Sequence, residues 1–338
     1  MRRQVTPLRA AVAGLLVLAA IGFYLWASPS SSFLLLPDSA KPLEPRVHVA
    51  GEKPDGKGGI YFVDVIVRKA SHLEELVSAL RPDGADLVPE EALVPPGTDL
   101  EDRRKQNQQQ MTRSQQVAAA VALKELGYDV KADPKGALIA VVASDAPAAG
   151  KLEPTEVITA VDGKPVETPD DLRRLITAHE PGETVSLTVR SGDETKTVEV
   201  PTIESPSDPG RAIVGIQVEQ AADIKLPIGV NIDLGSVGGP SAGLAFALDI
   251  VEELRGKVDK GLKVAATGEI ELDGRVVPVG GVKQKVLGAR KTGVDVFLVP
   301  VGDNAATARR YAGNLRVIPV ESFGQALRKL ATLPKTAS

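Results

Sequence analysis

The sequence has no cysteine. That removes a thiol nucleophile, a disulfide framework and any cysteine metal site from the available chemistries. Aromatic residues are 3% of the 338 positions, too few for platforms that stack bases or sugars. His48, His72 and His179 are the only histidines. No dense basic run occurs and the formal net charge is −4, so nucleic acid is not an expected partner. No His/Asp/Glu group has metal-ligand spacing, and neither a metal nor another cofactor is expected. GEKPDGKG at 51–58 approaches a phosphate-binding loop but lacks the final Ser or Thr and a strand-to-helix junction. What remains is an ordinary folded composition, 43% apolar, long enough for two or three domains.

Residues 10–27, AAVAGLLVLAAIGFYLWA, carry no charge. An apolar helix of that length crosses a bilayer. Tyr24 and Trp26 stand at its far end, Arg2, Arg3 and Arg9 precede it, and the first basic residue beyond it is Lys41. The pattern predicts a single-pass membrane anchor over residues 1–28, with the N-terminus cytoplasmic and the remainder extracytoplasmic. A cleaved signal peptide is the competing reading, weakened by the poor cleavage site at Leu25 and Ala27. A buried core helix is disfavoured by the lack of a polar face.

Residues 29–45, rich in Ser and Pro, read as a linker. GIYFVDVIV at 59–67 reads as a strand, and HLEELVSAL at 72–80 has helical spacing. Residues 98–126 read as a long helix, with Thr98 or Asp99 as N-cap and Gly127 as its stop. Its KQNQQQ run reads as a solvated face. Residues 29–132 are thus expected to be a linker and a mixed α/β segment of open role. From Gly136 come a strand, GALIAVVAS, a turn at Asp162-Gly163, a helix, PDDLRRLITAH, with Pro and two Asp in its first turn, and a hairpin turning at Gly192. This unit, expected over 133–205, resembles a PDZ domain of the bacterial protease-associated kind. The likeness runs from about Asp133 to Thr202, and LEPTEVITAVDGKPV followed by PDDLRRLI carries it. It implies capture of extended peptides by strand addition, with the carboxylate-binding loop at KGALI, from Lys135 to Ile139. Thr155 stands where that family commonly has glycine. A spacer that binds nothing is the plainer alternative.

Residues 206–338 alternate strands and helices, an α/β pattern. Strands are expected at 212–218, 228–234 and 294–300, two more within 263–279, and helices at 242–254 and 282–292. GGPSAGLAFALDIVEELRG, from 238 to 256, sets Ser241 at the mouth of an apolar helix. Serine is a favoured N-cap, so capping alone accounts for it. GPSAG also fits the nucleophile elbow of α/β-hydrolases, but that chemistry needs a histidine after the serine, and all three here precede it. A K-T-G at 291–293 has no S-x-x-K to accompany it. The proton acceptor would then be a lysine, a base only when burial keeps it neutral. Lys257, Lys260 and Lys263 lie in a charged connection, and Lys291 is also a candidate. Lys283 and Lys285 flank the apolar stripe Val282, Val286, Ala289 on opposite edges, and spacing does not choose between them. Asp233 and Glu269 read as strand-face carboxylates.

GGPSAGLAFAL followed by TGEIELDGRVVPVGGVKQKVLGARKTGVDVFLVP closely resembles the proteolytic domain of the Lon protease family. The resemblance implies a Ser–Lys dyad: Ser241 as nucleophile, Lys285 (the second lysine of GGVKQK) as general base, and Thr267 of the TGE motif positioning the amine. An acidic residue often found just before GPSAG is Gly238 here, and the family's usual ATPase has no counterpart motif. Anchor, PDZ unit and Lon-like unit in this order resemble the membrane-anchored, ATP-independent Lon-like PDZ proteases of bacteria. That likeness implies a serine endopeptidase acting on protein or peptide substrates, with a homo-oligomeric ring possible by analogy. A catalytically silent PDZ/Lon-like adaptor is the rival reading.

Overall fold

A computed structural model describes residues 7–49, 59–93, 100–143, 145–206, 208–235, 237–256 and 258–334. Helix α1 (Pro7–Ala27) coincides with the expected anchor. Among the described residues no helix is long and apolar enough to cross a membrane; the side chains of Pro7, Arg9 and Ala10 lie outside that set. Those described in α1 are almost all exposed, among them Leu15, Leu18, Phe23 and Trp26. The linker expected over 29–45 is instead headed by strand β1 (Pro29–Pro37). Its run FLLL fits a pleated surface, with Phe33 and Leu34 buried.

Strands β2 (Lys41–Pro42), β3 (Val47–Val49), β4 (Gly59–Phe62) and β5 (Val65–Ser71) follow. The single strand expected at 59–67 breaks at Val63-Asp64, and its halves enter different sheets. The helix expected at 72–80 is α2 (His72–Leu76), with a reciprocal cap between Ser71 and Glu74, then a separate 3-10 turn, Ser78–Leu80. Strand β6 (Asp86–Pro89) completes an antiparallel sheet in the order β5-β1-β6. Helix α3 (Glu90–Leu93) leads to α4 (Leu100–Glu125). The expected caps Thr98 and Asp99, the 51–58 loop and Lys257 fall outside the described residues.

The PDZ-like unit comprises β7 (Lys131–Val142), β8 (Val157–Val161), β9 (Lys164–Pro165), α5 (Pro169–Ile176), β10 (Thr184–Ser191) and β11 (Glu194–Pro201). Asp162 and Gly163 both take positive φ, 50° and 74°, as a type I′ turn requires. Thr168 caps α5 through Asp171. KGALI is not a loop; it lies within β7, which bulges at Lys135. A short hairpin, β12 (Ile203–Ser205) and β13 (Asp208–Ile213), precedes β14 (Ile216–Lys225). The strand expected at 212–218 thus turns at Val214-Gly215, and β14 joins the PDZ sheet, in the order β11-β10-β8-β7-β14.

Strand β15 (Val230–Ile232) pairs with β3. Then come α6 (Gly243–Arg255), β16 (Lys263–Ala266), β17 (Glu269–Ile270), β18 (Val276–Val277), α7 (Val282–Thr292), β19 (Val296–Pro300), α8 (Asp303–Tyr311), β20 (Arg316–Val320) and α9 (Phe323–Ala331). The main sheet runs β2-β4-β16-β19-β20, parallel except for the β2 edge. Every residue of β19 is buried, as a parallel strand covered on both faces demands. Helices α4, α6 and α9 share one core cluster with this sheet, and α7 and α8 build the other. Strand β4 and helix α4, from the segment whose role the sequence left open, are therefore parts of this α/β unit. The PDZ unit does not simply precede the α/β unit; it is inserted between β4–α4 and α6.

Candidate active site

Ser241 lies in a 3-10 turn, Pro240–Ala242, that runs directly into α6. The N-cap residues are Gly239 and Ala242, and neither helix start has a side-chain cap. Capping is therefore not what Ser241 does. Two carbonyls hold the turn. Thr267 Oγ1 donates to the Ser241 carbonyl at 3.1 Å and Gly268 N donates to it at 2.9 Å, while Leu244 N donates to Gly268 O at 3.0 Å. On the other side Ser114 Oγ of α4 donates to Pro240 O at 3.0 Å, and Gly239 N donates to Asn107 O at 2.8 Å.

This use of α4 is absent from any reading of the GPSAG motif. It also accounts for Gly238. A Cβ there would stand 2.8 Å from Asn107 Cβ and 3.3 Å from the Asn107 carbonyl, so α4 occupies the space of the acidic side chain that the family often has. Gly243 is equally tight, since its Cβ would meet Ser114 Oγ at 2.9 Å. The KQNQQQ run is thus not merely a solvated face, because Asn107 lies in it.

Lys285 is on the inner face of α7, 3% exposed, and its Nζ donates to Thr267 Oγ1 at 3.2 Å. Thr267 is fully buried and its backbone N–H is fixed to Leu298 O of β19. The structure thus links Lys285 to Thr267 and Thr267 to the Ser241 backbone. Among the described residues no hydrogen bond joins Ser241 Oγ to Lys285 Nζ. Burial brings the Lys285 amine down from 10.5 to about 7, and the opposing influence is the charge of Asp64. A neutral amine is therefore available at neutral pH, which is what a lysine base needs.

The other candidates go elsewhere. Lys283, on the opposite edge of α7, pairs with Asp86 at 2.5 Å and lies over the Tyr311 ring. Lys260 Nζ donates to the carbonyls of Ala331 and Leu333. Lys263 and Lys291 are exposed. Thr292 of the K-T-G closes α7, donating to Gly288 O and accepting from Ala40 N. His48 is the exposed middle residue of β3, between buried Val47 and Val49, His72 is at the start of α2 near Glu75, and His179 is bonded to Asp162 and Glu183 in the PDZ unit. Asp233 is exposed and ties a turn at Gly235. Glu269 is more than a strand-face charge. Burial lifts it to about 7, and Glu219 and Glu271 add to the shift against Arg173. Among the described residues no group of His, Asp and Glu is placed to hold a metal.

Comparisons with known proteins agree with the two motif sets. Residues 215–332 match the Lon protease (S16) C-terminal proteolytic domain and residues 124–202 match the PDZ domain. Lon protease 1 of Sorangium cellulosum is 36% identical over 106 residues, Lon protease of Clostridium beijerinckii 39% over 108, and Lon protease 2 of Bacillus subtilis 34% over 113. These alignments cover 28%, 30% and 33% of this chain but 13%, 13% and 19% of those proteins. The chain thus spans less than a fifth of the length of these relatives. Among solved structures, the PDZ domain of the SdrC-like protein from Listeria monocytogenes aligns at 24% identity and a TM-score of 0.23, over 25% of this chain and 87% of that one. The chain carries the C-terminal proteolytic domain of Lon proteases, a serine-type peptidase domain, together with a PDZ domain.

Proposed function

We propose that the chain is a serine endopeptidase that cuts protein or peptide substrates with Ser241 as nucleophile and Lys285 as general base, without ATP. The observation that carries this reading is the buried Lys285 amine, brought down to about 7 so that a neutral fraction exists at neutral pH, and pegged to Thr267, whose hydroxyl in turn holds the Ser241 backbone. In the proposed cycle Lys285 takes the Ser241 hydroxyl proton as the oxygen attacks the scissile carbonyl. The resulting ammonium protonates the leaving amine, and water then releases the acyl group by the same base in reverse roles. Closure of a short distance between Ser241 Oγ and Lys285 Nζ on substrate binding is part of the proposal, since catalytic hydrogen bonds commonly tighten in the complex. The PDZ unit recruits extended segments of the substrate.

The deciding experiment incubates the full chain with denatured casein in the absence of nucleotide, beside Ser241→Ala and Lys285→Met. Cleavage by the parent alone is expected. Equal behaviour of all three would leave the peptide-binding adaptor as the better reading.

We further infer attachment to a membrane through α1, with the proteolytic unit extracytoplasmic. Support comes from the uncharged run at 10–27 and from apolar side chains exposed around α1, which have no protein core to enter. Flotation with liposomes, compared between the full chain and a form lacking residues 7–27, tests it. Equal flotation of both would remove the anchor.

A further inference from the structure

The strand-addition site of the PDZ unit is filled from within the chain. An extended ligand would run antiparallel to the edge of β7, with alternate side chains entering the groove between β7 and α5. That edge is taken by β14. Ile216 lies opposite Val142, Val218 opposite Ile139 and Ala221 opposite Gly136, and α5 touches both strands. Ile216 and Val218 pack on the PDZ core. The next residue on that face, Gln220, is buried and donates its amide to the carbonyls of Glu167 (2.8 Å), Ala221 (2.8 Å) and Gly136 (3.4 Å). Ile-x-Val-x-Gln therefore occupies the alternating positions of a bound peptide.

Two features distinguish this occupancy from a sealed core. The groove is not closed over β14: Leu172 and Ile176 of α5, Ile216, Val218 and Glu269 line an open cavity of about 510 Å³. Strand β14 also buries a poorly satisfied carboxylate. Glu219 pairs with Arg113 at 3.2 Å through one oxygen and is also hydrogen-bonded by Gln110, while among the described residues its other oxygen has no partner. A buried acceptor left unmatched opposes the folded arrangement.

We propose that β14 is a built-in occupant of the PDZ groove, and that the groove's outside ligands are extended segments with β-branched aliphatic residues two positions apart, which compete with β14 for β7. The link to activity rests on the peptidase reading: β14 continues through β15 to the Gly238–Ser241 turn, so its release loosens the tether of the nucleophile.

The absence of cysteine allows a clean test. Gln217→Cys with Val141→Cys faces two residues paired across β14 and β7 and creates the only disulfide of the full chain. The probe is a fluorescent peptide, IVGIQVEQAAD, copied from residues 213–223, with a scrambled control. Oxidation is expected to weaken its binding at least tenfold relative to the reduced protein. Ile216→Gly with Val218→Gly, which loosens β14, is expected to bind it at least tenfold more tightly than the parent. Equal binding by oxidised and reduced protein overturns the proposal, whether or not the glycine variant folds; so does no gain in a folded glycine variant. Casein cleavage is followed in parallel with Ser241→Ala. Should that variant match the parent, the peptidase reading fails while the peptide titration still judges the groove.

Discussion

Lys285 and Thr267 meet through one hydrogen bond, 3.2 Å long, in which the amine donates and the hydroxyl accepts. The direction follows from the next link, because the Thr267 proton is already given to the Ser241 carbonyl. A neutral amine that donates here keeps its lone pair unbonded. Thr267→Val keeps the shape but removes the peg. We expect kcat to fall roughly 100-fold, the scale of a misplaced catalytic group, with Thr267→Ser recovering most of it. Steady-state cleavage of a quenched peptide measures both.

Because the Lys285 amine titrates near 7, kcat/KM should rise with pH and reach half its plateau near pH 7. Asp64 is the negative charge that favours the protonated amine, and Asp64 itself is tied to Lys41 and Asp38. Asp64→Asn should therefore move the midpoint to lower pH. A midpoint that stays in place in a pH-rate profile would mean that another group controls the rate.

Keeping Lys285 neutral opposes folding. Between about pH 7 and its ordinary 10.5 the unfolded chain holds a proton on Lys285 that the folded chain does not, so stability rises with pH in that window. Below pH 7 both states are protonated and the penalty is at its full size. Lys285→Met should raise stability at pH 6 by an amount on the order of 2 kcal/mol, and by much less at pH 10. Urea unfolding at the two pH values reads the difference.

Ser114 and Asn107 predict an effect from outside the motifs. Ser114→Ala removes the donor to Pro240 O and should cost about 1 kcal/mol. Activity should fall through kcat, with KM nearly unchanged, as the turn loses one of its two hydrogen bonds to α4. Gly238→Asp, which restores the side chain common in the family, should be worse, because its Cβ meets Asn107. Stopped assays and thermal melts on both variants separate the two effects.

Thr155 sits at φ 77°, a left-handed conformation that a β-branched residue adopts at a cost. Thr155→Gly should stabilise the chain by about 1 kcal/mol, seen as a raised Tm without change in casein cleavage.

The readable parts of the site were those written in short runs. GGPSAG, TGE and GGVKQK each fold locally, so their serine, threonine and lysines could be placed on a turn, a strand end and a helix. Between Lys283 and Lys285 periodicity alone was silent, since both flank one stripe; the sheet end carrying Thr267 decides, and Asp86 takes the other. The support from α4 was hidden because a backbone carbonyl of Asn107 has no residue signature and Ser114 acts across 126 positions. The run at 29–45 misled because Ser and Pro at its ends outweighed FLLL between them. The second role of the PDZ edge was equally invisible, for β14 is an ordinary strand by composition and only its neighbour β7 gives it meaning.

The insertion of the PDZ unit sets an order of events during synthesis. Gly59 of β4 finds its parallel neighbour only at Lys263 of β16, and α4 must wait for the Pro240 turn it braces. At about 5–20 residues per second, on the order of 10–40 s of translation separate the two halves. Ser241 emerges after Asn107 and Ser114 but before Thr267 and Lys285, so a ribosome-bound fragment ending before α7 lacks half of the contacts that build the site. On the proposed reading, peptidase activity waits until α7 and its Lys285 have emerged.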